Sequence, residues 1–427
     1  MIEINQSLIL IIIILSVISL IIVFLLLAVL RRISSKKKYE KLDRQREFYR
    51  EKLRNFLDSG KAFQDRADLI APPQSIKWQA IEEVLLNLID EERDRENVKR
   101  LVDKMGYIKF YEKRLKSKNR IAKASAIDKL GKMLSHSSTE KLIEVLKKEN
   151  NTEIISVTIR ALSRIGSPAA LRGMMEQLPD LANKSLVSRK IIEASLVNFG
   201  INAIPVLIEF GGKSGYAPIK SSILEVLSVL PCTQSSCSFS FDNLESGDAE
   251  IRAKALKVLG RINTTSIEFD PTLLLPFIED EVWFVRLQAA KALCNIRYKK
   301  APDVLGVLLI DENWQVRNAA SGALATLGNA SIDVFLRTLR HNDEYARQSV
   351  CEEIEKTDFV EKLIENLKST DKEIYEKSKQ ILIIMHSLNF STPLFEYLKK
   401  DGEEGIKKEI NLILHKEVEA CRDYSYT

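Results

Sequence analysis

A phrase in the middle of this chain recurs at a fixed offset of 31 residues. Asp280-Glu281-Val282-Trp283-Phe284-Val285-Arg286 returns as Asp311-Glu312-Asn313-Trp314-Gln315-Val316-Arg317, and Leu293 returns as Leu324. One unit earlier, Ile251-Arg252-Ala253-Lys254-Ala255-Leu256 carries the same pattern. Weaker copies stand at Ile121–Leu134, Ile154–Gly166, Ser188–Gly200, Ile219–Leu230, Ala346–Lys356 and Ile374–Met385. A period near 30 residues is that of a helical hairpin too small to bury both of its faces. Such units are stable only when stacked, so the 427 residues read as about nine or ten small hairpins in place of two or three compact domains.

From Ser75 onward, apolar residues recur at i, i+3, i+4 and i+7, and no alternating run of β-branched residues predicts a strand. Each phrase follows a shorter apolar helix, as at Ala203–Phe210, Pro271–Ile278, Pro302–Ile310, Ile332–Arg340 and Phe359–Leu367. Pro205, Pro271 and Pro302 fall in the first turn of such helices, where a missing N–H has no partner to lose. Asp or Asn between the two helices is placed to cap the second one, and small residues such as Ala289 and Ala320 let neighbouring helices approach closely. Composition agrees: 29% charged and 45% hydrophobic residues with only 16 Gly and 11 Pro describe an ordered helical chain.

The phrase resembles the HEAT repeat family, above all its short prokaryotic form, which is similar to the repeats of the phycobilin lyases. There the second helix begins D-x-x-x-x-V-R and continues A-A-x-A-L. The resemblance covers Ser117 to Met385, is most specific at Asp248–Ile262, Asp280–Ile296 and Asp311–Gly328, and fades at Lys184–Gly200 and Cys232–Leu244. It implies an all-α fold: a right-handed superhelical α-solenoid of helical hairpins whose second helices line a concave face. On that reading residues 76–116 are a helical N-terminal cap, 117–390 the repeats, and 391–427 a helical C-terminal cap and tail.

Ahead of the repeats, Leu8–Leu30 is a run of 23 residues with no charge and only two serines. As a helix it is about 35 Å long, enough to cross a hydrocarbon core of about 30 Å with some tilt. No positive charge precedes it and no small-residue cut site follows, so residues 1–30 read as a transmembrane anchor and not as a signal peptide. Arg31, Arg32, Lys36, Lys37 and Lys38 follow at once. By the positive-inside rule they predict a single-pass protein with its N-terminus outside and its repeats in the cytoplasm. Cys232, Cys237, Cys294, Cys351 and Cys421 are odd in number and fit a reducing compartment. Residues 31–75 read as a basic juxtamembrane stalk and linker. Tyr39, Leu42, Tyr49, Leu53 and Phe56 share one face of a helix there, and Ala71-Pro72-Pro73-Gln74 ends it.

The formal charge of +5 is concentrated beside the apolar run. Residues 31–60 hold 11 Lys/Arg against 5 Asp/Glu, whereas residues 61–427 hold 53 of each sign. HEAT-like DNA glycosylases track phosphates with a strongly basic surface, so this balance speaks against a nucleic-acid partner.

Arg252, Arg286 and Arg317 are expected to tie each unit to the next through turn acids such as Asp280 and Asp311. Trp283 and Trp314 open second helices. With Arg286 and Arg317 they form the candidate partner-binding set, because Trp and Arg are enriched at binding hot spots. No catalytic residue, cofactor site or metal site is expected. Gly211-Gly212-Lys213-Ser214 has Leu207 where a phosphate loop needs glycine, and no strand before it. Cys232 and Cys237 lack the second ligand pair of a zinc site. His136, His341, His386 and His415 form none of the His-Glu pairs with which HEAT-like deoxyhypusine hydroxylases hold iron. The expected function is that of a membrane-anchored scaffold or adaptor binding a protein on its concave face. The alternatives are a nucleic-acid-binding or DNA-repair HEAT protein, or a lyase-type HEAT enzyme. Met105–Gly131 resembles the entry unit of anchored prokaryotic HEAT proteins that accompany membrane glycosyltransferases, which implies a polysaccharide-synthesising membrane enzyme as the partner.

Overall fold

The computed structural model describes residues 2–58, 69–91, 95–183, 187–213, 215–262, 267, 269–400 and 402–415, and every regular element among them is a helix. The chain divides into two compact units, Met1–Gln177 and Leu178–Thr427.

The first unit begins with α1, Ile2–Asp58, a single helix of 57 residues. The apolar run and the stalk, read from the sequence as separate segments, are thus one element, with no glycine or proline to interrupt it. From Leu10 to Leu30 the side chains are exposed, and α1 is long and apolar enough to cross a membrane by length and composition. Beyond Leu30 the helix changes role. Leu42, Tyr49, Leu53 and Phe56 are buried, making a stripe at helical spacing that packs on α2, Ile76–Asp90. Tyr39, one turn ahead of Leu42, was expected on the same stripe but stays exposed. Ion pairs of Arg46 with Glu83 and of Arg54 with Glu91, the latter at 3.0 Å, flank the packed stripe.

Helix α2 starts where the Pro72-Pro73 break predicts a start: Ser75 Oγ accepts the Trp78 N–H at 3.1 Å. Trp78 is buried against Tyr107, Phe110 and Tyr111, and the Tyr107 hydroxyl donates to its carbonyl at 2.9 Å. Those three aromatics belong to α4, Tyr107–Arg114, which follows α3, Arg95–Lys104. Hairpins then take over: α5 (Arg120–Lys132), α6 (Thr139–Lys148), α7 (Thr152–Ile165) and α8 (Pro168–Asn183). Helices α5 and α7 approach so closely that a Cβ on Gly131 would stand 2.6 Å from the Ala161 Cα.

The second unit continues with α9 (Arg189–Val197), α10 (Ile204–Lys213), α11 (Ala217–Val229), α12 (Gln234–Phe241) and α13 (Ala249–Leu259). The chain bends by 115° between α9 and α10, at Gly200 with φ +64°, a conformation that favours glycine. Next come α14 (Trp283–Asn295), α15 (Ala301–Val307), α16 (Trp314–Thr326), α17 (Ile332–Leu339), α18 (Glu344–Lys356), α19 (Phe359–Glu365), α20 (Lys372–Ser387), α21 (Thr392–Lys399) and α22 (Glu404–His415). Second helices pack directly on one another: α9 on α11, α11 on α13, α13 on α14, α14 on α16 and α16 on α18. The core they share with the first helices is mostly aliphatic. Leu305, Leu309, Val316, Leu324, Phe335, Val350 and Ile354 are fully buried, each worth about 2 kcal/mol of transfer free energy.

Two departures from the regular pattern matter. Pro271–Ile278 was expected as an ordinary first helix, yet residues Pro271–Glu279 form a 3-10 helix, because Pro276 inside it has no N–H to give an α-helical bond. Farther on, α20 packs mainly on α17, held by Lys377 to Asp333 at 2.5 Å and Arg340 to Gln380 at 2.5 Å. The row of second helices therefore loses its regular succession after α18. Of the tail, residues 416–427, including Cys421, lie outside the described residues.

Candidate partner-binding site

The turns before α13, α14, α16, α18 and α20 repeat one small construction. Two residues ahead of the N-cap, a side chain accepts the N-cap residue's own N–H. Asp280 Oδ1 takes Val282 N–H at 2.9 Å, Asp311 Oδ1 takes Asn313 N–H at 2.8 Å, and Ser246, His341 and Ser369 do the same for Asp248, Asp343 and Asp371. The N-cap side chain then holds the first turn, with Asp248, Asn313, Asp343 and Asp371 each accepting an N–H from it. Asp or Asn in the turn was expected to cap the second helix, as Asp248, Asn313, Asp343 and Asp371 do, whereas Asp280 and Asp311 hold the N–H of the N-cap residue. They sit one step outside, because both of their oxygens are needed elsewhere.

That use is the arginine four residues past the N-cap of the preceding unit. Arg252 donates from Nε and Nη2 to the two oxygens of Asp280 at 2.8 and 2.9 Å, and Arg286 donates likewise to Asp311 at 2.7 and 2.8 Å. The third nitrogen of each reaches back to its own turn, Arg252 Nη1 to the Ser246 carbonyl at 2.9 Å and Arg286 Nη1 to the Asp280 carbonyl at 2.8 Å. Each guanidinium thus ties two units in a planar bidentate fork, nearly buried on both sides. Burial would raise the Asp280 carboxyl pKa. The hydrogen bonds from Arg252 and the Val282 N–H, with the charges of Arg252 and Arg286, pull it below the ordinary carboxylate value instead.

The ladder stops at Arg317. The equivalent acid position is His341, and Arg317 is left with the Asp311 and Glu312 carbonyls at 2.8 and 3.3 Å and a 3.5 Å contact from Nε to Ser349 Oγ. Arg347, next in the series, has a buried Nε without a partner. Among the four candidate residues, Arg286 is therefore absorbed by the ladder while Arg317 keeps part of its fork open. The tryptophans separate in the same way: Trp283 is 36% exposed and stacks edge-on against Phe284, whereas Trp314, at the first position of α16 and one turn from Arg317, is 60% exposed. Both open second helices as the spacing predicts.

The basic residues Arg31, Arg32, Lys36, Lys37 and Lys38 all lie on α1 directly after the exposed apolar stretch. Gly211, Gly212 and Lys213 are the last turn of α10, which leaves no phosphate-loop geometry, and Ser214 lies outside the described residues. Among the described residues no group of three or more His, Cys, Asp or Glu is arranged to hold a metal ion. Cys232 and Cys237 have their sulfurs 3.0 Å apart. Sequence spacing did not foresee this pairing. Its signal was Thr233, which caps α12 and turns the chain so that Cys237 comes back beside Cys232.

Residues 240–325 and 271–355 match the family of HEAT repeats. The chain carries HEAT repeats. No curated protein matches it. A crystal structure of an engineered protein matches at 15% sequence identity over 80% of this chain and 96% of that one, with a TM-score of 0.36. The HEAT match spans α13, α14, α16 and α18, the helices that carry Arg252, Arg286, Arg317 and Arg347. HEAT repeats commonly mediate protein–protein contact, and the exposed Trp314 lies within the matched residues.

Proposed function

We propose that this chain is a membrane-anchored scaffold that docks a partner protein on the first turns of its HEAT second helices and carries out no bond-making step itself. The observation that carries this reading is Trp314, a large aromatic 60% exposed on a rigid helix beside an incompletely paired arginine. Exposing so much indole in water is unfavourable, and Trp with Arg is the pair most enriched at interface hot spots. The exposed apolar stretch of α1 supports anchoring, and the cations at 31–38 support a cytoplasmic repeat region. A membrane enzyme, such as a glycosyltransferase that builds polysaccharide, is the partner class this reading favours.

The test is affinity purification of the full chain from detergent-solubilised membranes after crosslinking. One partner should be recovered in stoichiometric amount, and Trp314→Ala should lower its yield about tenfold or more while the melting curve stays in place. Equal recovery with wild type and Trp314→Ala would remove this face from the reading.

A further inference from the structure

Averaging charge over residues 61–427 hides a concentration of lysine that the fold brings together in the first unit. Lys109, Lys113 and Lys116 from α4 and its following turn, Lys123 from α5, and Lys141 and Lys148 from α6 line one open cavity of about 740 Å³. Only Glu112 and Glu144 oppose them along its walls, and Leu115 and Val145 give it an apolar floor. Three of the six lysines are neutralised. Lys141 pairs with Glu112 at 2.5 Å, Lys148 with Glu144 at 2.6 Å, and Lys123 with Glu149 at 2.6 Å. The other three, Lys109, Lys113 and Lys116, make no ion pair or hydrogen bond among the described residues, and all are exposed.

Their spacing is i, i+4 and i+7, so they form a row of about 10 Å along one side of the cavity. Like charges held together this way repel, at a cost that a ligand with several negative charges would reverse. A groove of several hundred cubic ångströms also has room for more than one anionic group. Ammonium groups on flexible stems suit phosphate as point-charge partners, whereas planar carboxylate recognition favours the arginine fork that this groove lacks.

We propose that the groove between α4, α5 and α6 binds a ligand carrying two or more phosphate groups, with Lys109, Lys113 and Lys116 as its primary contacts. The shared chemistry is the clustered phosphate, and it can arrive on a soluble molecule or on a lipid headgroup.

Full-length protein in neutral detergent is titrated with inorganic tripolyphosphate in one arm and with water-soluble dioctanoyl phosphatidylinositol bisphosphate in the other. Binding in at least one arm is expected. It should weaken steeply with salt and fall on the order of a hundredfold in Lys109→Gln/Lys113→Gln/Lys116→Gln, while Lys36→Gln/Lys37→Gln/Lys38→Gln keeps wild-type affinity. Binding of both probes assigns a phosphate cluster irrespective of carrier, and binding of the lipid alone assigns a headgroup. The three lysines are exposed and unpaired, so the triple variant should retain the wild-type melting curve. The Glu112→Gln variant, which frees Lys141, should bind more tightly than wild type and gives a second reading from a gain of affinity. Failure of both probes to bind, whether or not duplex DNA binds, or unchanged affinity in the triple glutamine variant overturns the assignment.

Discussion

Arg286 grips Asp311 across two hydrogen bonds of 2.7 and 2.8 Å and, with its remaining nitrogen, reaches the carbonyl of Asp280 in its own unit. One side chain therefore fixes the distance between consecutive HEAT units and the conformation of the turn that starts α14. Both partners are nearly buried, so each depends on the other for solvation.

Removing one partner of that pair should be costly. Asp311→Ala leaves the nearly buried Arg286 guanidinium with only the exposed Glu312 carboxylate, at 3.3 Å from Nη2, as counter-charge and should destabilise the α14–α16 region by about 3 kcal/mol. Arg317→Ala loses two carbonyl contacts and a long one to the Ser349 hydroxyl, with no carboxylate among them, and should cost about 1 kcal/mol. Hydrogen exchange of the amides in α14 and α16 reads both values locally, which a single melting midpoint of a two-unit chain does not.

Acid should loosen the neighbouring contact. The Asp280 carboxyl has a folded-state pKa below its unfolded value of about 3.9, so its contribution to stability is present above that value. It is lost as the pH falls through the lower, folded pKa. Asp280→Asn should be less stable than wild type near neutrality and lose less stability on acidification. Urea unfolding between about pH 2.5 and 7 checks the sign: a variant with the same acid slope as wild type would contradict it.

Glycine is required where helices nearly touch. A Cβ at Gly131 would stand 2.6 Å from the Ala161 Cα, and one at Gly260 would stand 2.8 Å from the Ala292 Cα. Gly131→Ala and Gly260→Ala should each destabilise by about 1–3 kcal/mol. Gly212→Ala meets nothing within 4 Å inside α10 and should be neutral or stabilising by up to about 1 kcal/mol. Thermal melts of the three single variants give the comparison.

The sulfurs of Cys232 and Cys237, 3.0 Å apart, should close to a disulfide under mild oxidation. The hydrogen bond from Cys237 lowers the half-exposed Cys232 thiol to about 7, so a large fraction is thiolate at neutral pH. Given oxidised glutathione, the Cys232 thiolate attacks one sulfur and releases glutathione thiolate. Cys237 then attacks Cys232 of the mixed disulfide, losing its proton to solvent and releasing the second glutathione. Mass spectrometry of the peptide should show the loss of two hydrogens. A persistent mixed disulfide at Cys232 would count against this proximity.

How much of this was readable beforehand follows the physics of each signal. Periodicity and the 31-residue offset mark the hairpins because a repeat imposes the same core on every copy. The arginine–aspartate contacts were readable for the same reason, since Arg252, Arg286, Asp280 and Asp311 hold fixed places in the phrase. What escaped was everything decided by the identity of a single deviating residue or by chain reversal. His341 in place of an acid ends the ladder, but its register becomes clear only once the Asp343 N–H is seen to bond its Nδ1. The lysine groove draws on residues from 109 to 148 whose charges a sequence window averages with nearby acids. The tryptophans Trp283 and Trp314 are equivalent in sequence and differ in exposure.

Helix α1 carries no glycine or proline from Ile2 to Asp58, and its far end is packed on α2 through Leu42, Tyr49, Leu53 and Phe56. A sharp kink at the middle of such a rod requires breaking backbone hydrogen bonds, and no glycine or proline is there to favour one. A continuous helix packed at one end therefore gives the apolar end the leverage of a rigid arm on α2.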